Sequence, residues 1–217
     1  MGKQPDGLPA DKRQRISRAA LREFAQRGYA LASTNAITAQ AGISKGLLFH
    51  HFGNKAGLYL YLVEEHLASS VAYLRGLAAA QPPPGDMVER LMQSAYRKLE
   101  FAREQPEVAK FLFDALAAPP PELAAEIRQL AERYRPDVEA HLGREVDAGR
   151  LRPGVSVERA VKATMVFSEG LRALYATQLA ADPAAAERLL AEARDYLDIL
   201  RYGIYRPPDG SGAATTQ

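Results

Sequence analysis

An all-α fold is predicted by three features of this sequence. Apolar residues recur at i, i+3 and i+4 through one segment after another. Helix-starting residues (Ser, Asn, Asp, Pro) stand before those segments and helix-stopping glycines after them. No run of any length alternates apolar and polar residues at the period of a strand, and no internal repeat is visible. With 217 residues, 47% of them hydrophobic, the chain can build a sizeable core as one large domain or two small ones.

The elements follow in order. Residues 1–10 carry Pro5, Gly7 and Pro9 and are expected to form a flexible tail. A helix from about Asp11 to Arg27 places Ile16, Ala20 and Phe24 on one stripe and Arg13, Arg15, Arg18 and Arg22 off it. Gly28 stops this helix, and Tyr29 can fold back as the accompanying apolar contact. The stretch STNAITAQAGISKGLLFHHF (Ser33–Phe52) then reads as two short helices and a tight turn. Ser33 or Thr34 can cap the first, with Ile37 and Ala41 buried four apart. Gly42 reaches the left-handed conformation at the stop, and Ile43 plugs the turn. Ser44 caps the second helix, which buries Leu48 and Phe52. Gly53 closes it, and Asn54 caps a long helix from Lys55 to about Ala80.

Pro82–Gly85 breaks the chain. Asp86–Gln105 and a helix from Pro106 follow, then a second break at Ala118–Leu123. Leu123–Arg133 and Val138–Asp147 make one long helix or a pair kinked around Pro136. Ser156 can cap a helix over Val157–Leu179 that is apolar on more than one face. Asp182 and Pro183 start the last helix, which carries Leu189, Ala193, Leu197 and Ile204. Residues 206–217 read as a disordered tail. Two terminal helices with more apolar surface than one small bundle hides point to a subunit interface.

The overall charge of +2 hides an asymmetry. Up to Gly57 there are nine basic and three acidic residues, a net of +6; the remaining 19 basic and 23 acidic residues give −4. A polyanion partner for the N-terminal part follows. The absence of Cys excludes disulfides, thiolate catalysis and cysteine zinc sites. The start lacks the apolar run of a signal peptide, and no stretch approaches the ~18 apolar residues of a membrane span, so a cytoplasmic location is expected. A helix, a Gly-containing turn and a capped second helix describe a helix-turn-helix, which lays its second helix in the DNA major groove. An ordinary corner between two helices is the rival reading of the same stretch.

The segments ISRAALREFAQRGY (Ile16–Tyr29) and ITAQAGISKGLLFHHFGNKAGLY (Ile37–Tyr59), at their spacing, resemble the TetR family of transcriptional regulators over about a fifth of the chain. The rest is similar to the family in length and helical layout. The resemblance implies a homodimer of about nine helices per subunit. A DNA-binding domain is expected over 11–57 and a ligand-binding and dimerisation domain over 58–205; the boundary is functional near Gly57 and topological around Pro82–Gly85, so the fourth helix belongs partly to both. The resemblance implies that the last two helices pair between subunits. The reading that follows is a repressor released from a near-palindromic double-stranded DNA operator by a small-molecule effector. An all-α enzyme or carrier is the alternative, but it would need a catalytic constellation, and four His, no Cys, no Glu-x-x-His pair and no Gly-rich phosphate loop offer none, so no enzymatic activity and no cofactor are expected. Phe49 stands where the family usually has a tyrosine, and Leu47 where small or hydroxylated residues are common; Thr34 and Thr38 depart from the pattern as well.

The expected DNA contacts are Ser33, Thr34, Ser44, Lys45, Gly46, Leu47, Phe49, His50, His51 and Lys55. Lys45 and Gly46 open the recognition helix; Leu47 can touch a thymine methyl. Ser33 and Thr34 stand where a helix N-terminus favours phosphate, although capping explains them equally. Lys55 resembles the family's backbone-contacting lysine. For a partly apolar effector the candidates are Tyr96, Phe101, Phe111, Phe113, Met165, Phe167 and Tyr175, with Glu169 or Arg172 supplying polarity if turned inward. Plain core packing is the rival for each aromatic. Asp137, His141 and Glu145 lie four apart, an acceptable metal geometry, but a solvated face explains them and no metal site is assigned.

Overall fold

In the computed structural model, residues 7–79, 86–144, 146–182 and 185–204 are described. Among them are ten α-helices: α1 (Ala10–Leu31), α2 (Thr34–Ala41), α3 (Lys45–Phe52), α4 (Lys55–Ala79), α5 (Met87–Glu104), α6 (Pro106–Ala117), α7 (Ala124–Glu132), α8 (Arg135–Gly143), α9 (Val157–Ala181) and α10 (Ala186–Ile204). The all-α expectation is met, and no helix among the described residues is long and apolar enough to cross a membrane. Residues 1–6, the Pro82–Gly85 break, the Asp137, His141 and Glu145 side chains, Pro183 and the tail from 206 lie outside the described residues.

The residues divide into two compact units, one reaching to Gly76 and including Glu100–Tyr134, the other formed by Leu77–Leu99 and the chain from Arg135. The expected division is functional near Gly57 and topological around Pro82–Gly85; what it does not include is the return of Glu100–Tyr134 to the first unit, and packing explains that return. Phe111, Leu112, Ile127 and Leu130 of α6 and α7 share one core with Ile16, Phe24, Ile37 and Leu48. Phe24 meets Tyr59 edge to face at 5.0 Å and Phe111 at 6.3 Å, so an aromatic cluster joins α1, α4 and α6. The expected tail also shortens: Leu8 is buried in this core, and α1 begins at Ala10.

Gly28 breaks α1 with φ 69° and ψ 171°, and Tyr29 stacks back on Phe24 at 6.3 Å, as the glycine stop predicted. The α7–α8 ambiguity resolves into two helices separated at Arg133–Tyr134. Pro136 falls in the first turn of α8, where its missing N–H costs nothing.

In the second unit, α5 starts under a cap in which Asp86 accepts from the Val88 and Glu89 N–H groups at 2.8 and 3.1 Å. Met87, Leu142, Val161 and Ile204 cluster there, and the fully buried Arg90 donates to the Leu142 carbonyl at 3.0 Å. Ser156 caps α9 by accepting from the Arg159 N–H at 3.2 Å. The second apolar face of α9 stays open: Val166 is 73% and Leu174 56% exposed, beside Ile199 at 70% and Tyr202 at 62% on α10.

Candidate nucleic-acid interface

Local chemistry sets the α2–turn–α3 geometry. Ser33 is extended, and its Oγ accepts from the Ala36 N–H at 3.4 Å, so Ser33 rather than Thr34 is the cap. Gly42 takes the left-handed conformation (φ 63°, ψ 44°), and its N–H and that of Ile43 return to the carbonyls ending α2. Ser44 then accepts from the Leu47 N–H at 3.2 Å and starts α3. Ile37, Ala41, Leu48 and Phe52 are buried, anchoring both helices to one core.

The outer surface of α3 follows from that anchoring. Ser44, Lys45, Gly46 and His50 are exposed, and His51 is half-buried. His50 and His51 meet edge to face at 5.0 Å in the last turn. Leu47 and Phe49 are half-buried and lean on the core, leaving only part of each side chain outward. The Lys45 ammonium lies 5.7 Å from the centre of the Phe49 ring. Phe49 therefore positions the first cation of α3 while offering no hydroxyl. Thr34 is half-buried at the start of α2, and Thr38, also off the usual pattern, is buried and donates to the Asn35 carbonyl at 3.0 Å.

Lys55 occupies a more constrained place than its sequence position suggests. Its Nζ donates to the Ala30 and Ala32 carbonyls at 3.0 and 3.1 Å and sits 4.8 Å from the Tyr29 ring centre. Two of its three N–H bonds thus tie the end of α1 to the start of α4, leaving one to point elsewhere. Asn54 beside it accepts from the Gly57 N–H at 2.9 Å, the expected cap.

Glu23 is the residue that sequence reasoning missed. Its carboxylate is buried, accepts from the Ser33 N–H at 2.9 Å and pairs with Arg27 at 3.4 Å. It fixes the start of α2 from within α1. The i,i+4 pairing with Arg27 was readable; the reach to Ser33 across the Gly28 break was not. Glu65 plays a similar part on α4, accepting from Ser17 at 2.6 Å and Tyr61 at 3.1 Å. Burial first, and Glu65 second, push the Tyr61 pKa up to about 12, keeping it a neutral donor. Arg15, Arg18 and Arg22 line an open groove with Ala19 and Gln40, so the positive charge of α1 has a concave face.

The expected effector residues are shared between the two units. Phe101, Phe111 and Phe113 belong to the first unit; Tyr96, Met165, Phe167, Glu169 and Tyr175 belong to the second. Phe111 is part of the aromatic cluster, Phe101 is buried against Tyr73, and Phe113 is half-buried. Met165 and Phe167 are half-buried, and Tyr175 packs with Leu189 and Ala193. Tyr96 is 41% exposed. The direction of Glu169 and Arg172, left open by the sequence, is outward: they pair at i,i+3 on an exposed face, where both charges keep their water. A cavity of about 50 Å³ in the second unit is lined by residues such as Glu89, Met92, Arg194 and Arg201, none of them on the expected set.

Two capped helices around a left-handed glycine, with Lys45 exposed on the outer face of the second, define a helix-turn-helix DNA-binding protein. The chain belongs to the TetR family of bacterial regulatory proteins. The family's N-terminal model matches residues 16–62, and a tetracyclin repressor-like C-terminal domain matches residues 85–204. The chain is 29% identical over 126 residues to the HTH-type transcriptional activator FasR of Mycolicibacterium smegmatis, covering 58% of this chain and 56% of that protein. It is 29% identical over 150 residues to the HTH-type transcriptional repressor AcnR of Corynebacterium efficiens, covering 69% and 74%. Its fold is similar to that of a TetR family transcriptional regulator from Chloroflexus aurantiacus, at TM-score 0.56 and 25% identity over 93% of this chain and 96% of that one. The chain is a DNA-binding transcriptional regulator of this family.

Proposed function

We propose that the protein is a homodimeric repressor that leaves a near-palindromic operator when a partly apolar small molecule binds. The observation that carries the DNA reading is the outward face of α3, where Ser44, Lys45, Gly46 and His50 are exposed on a helix whose other face is locked into the core. Lys45 and Gly46 approach base edges or phosphate, Leu47 and the outer edge of Phe49 offer apolar contact to thymine methyls, and His50 and His51 supply donors. Ser33 and Thr34 lie beside the N-terminus of α2, where phosphate is favoured. Lys55 has one N–H left for the backbone. The exposed apolar stripe of α9 and α10 supports a dimer through these helices. Two recognition helices would then address half-sites roughly 34–36 Å apart or a multiple of that. One similar relative is named an activator and the other a repressor; repression is proposed because occupying an operator is enough for it. A regulatory role with no catalysis, in the cytoplasm, completes the reading.

Lys45→Ala and Lys55→Ala test it in a mobility-shift series across salt, with DNA flanking the protein's own gene. Each lost phosphate contact should lower the slope of log K against log salt by about 0.9. An unchanged slope in either variant removes that lysine from the interface. Absence of any binding at low salt by the unaltered protein overturns the DNA reading.

A further inference from the structure

One face of α4 carries Val63, His66, Ser70 and Tyr73, all within roughly a quarter of the helix circumference. Val63 is fully buried, and two aromatic rings flank the polar pair that follows it. Phe111 meets the His66 ring edge to face at 6.2 Å, and Phe101 lies 5.5 Å from the Tyr73 ring. Between them, His66 Nε2 and Ser70 Oγ are both shut off from solvent, and neither has a hydrogen-bond partner. The neighbouring Ser69 behaves differently: its Oγ donates to the Glu65 carbonyl at 2.9 Å, the usual bond of a helical serine. Ser70 leaves that option unused.

A buried polar atom without a partner costs free energy comparable to a lost hydrogen bond, and native proteins leave few of them. Two on successive turns of one face, bracketed by aromatic rings, are a destabilising feature of the kind that persists at binding sites. We infer that His66 and Ser70 form the hydrogen-bonding end of the effector site, holding the single polar group of an uncharged, otherwise apolar small molecule against Phe101 and Phe111. This rests on the reading of the protein as effector-responsive. The acids near the pair, Glu65 and Glu104, accept from Ser17, Tyr61 and Tyr73. An anionic head would meet these carboxylates, whereas a hydroxyl, amide or ketone would not be repelled. The His66 side chain as a whole is only partly buried, so the site has an edge towards solvent while Nε2 faces inward.

The test uses the full chain and Nile red, a neutral apolar dye with hydrogen-bond acceptors, followed by fluorescence and by thermal unfolding. Ser70→Ala is expected to raise the unfolding midpoint or leave it unchanged, because it removes an orphan hydroxyl. It should weaken dye binding at least threefold, and His66→Phe at least tenfold. A lowered midpoint in Ser70→Ala would mark the hydroxyl as an ordinary core group and overturn the assignment. So would dye binding that ignores both substitutions, or a wild type that takes up no dye. Dye that releases operator DNA yet ignores both substitutions would remove this site while leaving the effector reading standing.

Discussion

Glu23, Lys55 and His66 each combine a charge-bearing group with a position that its neighbours define. Glu23 holds the start of α2 through the Ser33 N–H. Glu23→Ala is expected to cost about 1–3 kcal/mol, the range for losing a hydrogen bond to a charged group and leaving a partly buried N–H without it. Chemical denaturation would measure it, and a loss below about 0.5 kcal/mol would show that water replaces the carboxylate. His66 gives a pH signature. Burial lowers its pKa from the ordinary 6.5, with Glu65 offsetting part of the effect. Below 6.5 the unfolded chain takes up a proton that the folded chain resists, so stability falls as pH drops from there towards the folded pKa. The unfolding midpoint of the wild type should therefore decline more steeply between about pH 7 and pH 5.5 than that of His66→Phe. Parallel declines would show that other groups dominate.

At the scale of elements, the α2–turn–α3 unit was legible because each of its signals is local. Ser33, Gly42 and Ser44 act within three or four residues of themselves, which is the range over which sequence pattern reports directly. Gly42→Ala tests the strictest of them. An added Cβ would meet only Arg15 Nη1, at an ordinary 3.5 Å, so the cost is the left-handed backbone itself, about 1 kcal/mol. Urea unfolding would register that loss; an unaltered midpoint would show that the turn relaxes to another conformation. The recognition face was less legible. Spacing put Leu47 and Phe49 off the buried stripe, but α3 has only eight residues, and side chains that long on so short a helix still reach the core. Resemblance alone marks Lys55 as a DNA contact; its two bonds to carbonyls at the end of α1 depend on residues more than twenty positions away.

For the whole molecule, the surplus apolar surface expected of the last two helices is an exposed stripe on α9 and α10. Val166→Glu or Ile199→Glu would place a carboxylate on that stripe. If the stripe is the dimer interface, each variant should sediment as a monomer. Operator affinity should also fall by roughly a hundredfold, the equivalent of about 3 kcal/mol for a buried unpaired charge. Unchanged sedimentation would move the dimer interface elsewhere. The arginines of α1 belong to this scale too. They face solvent, as their place off the apolar stripe predicts, but three of them line one groove with Gln40 of α2, a concavity that only the packing of the two helices creates.

The sequence by itself determined the all-α class, most of the caps and breaks, the helix-turn-helix and the concentration of positive charge around it, because helix period, capping and charge are short-range properties. Tertiary structure decided where the compact units divide, since Phe111 joins the core of Phe24 and Tyr59 from fifty or more residues away. It also decided that Glu169 faces out, that Glu23 is a buried anchor, and that His66 and Ser70 stand without partners on the inner face of α4. Each of those depends on which residue of a distant helix arrives opposite, and the periodicity of one helix carries no information about that.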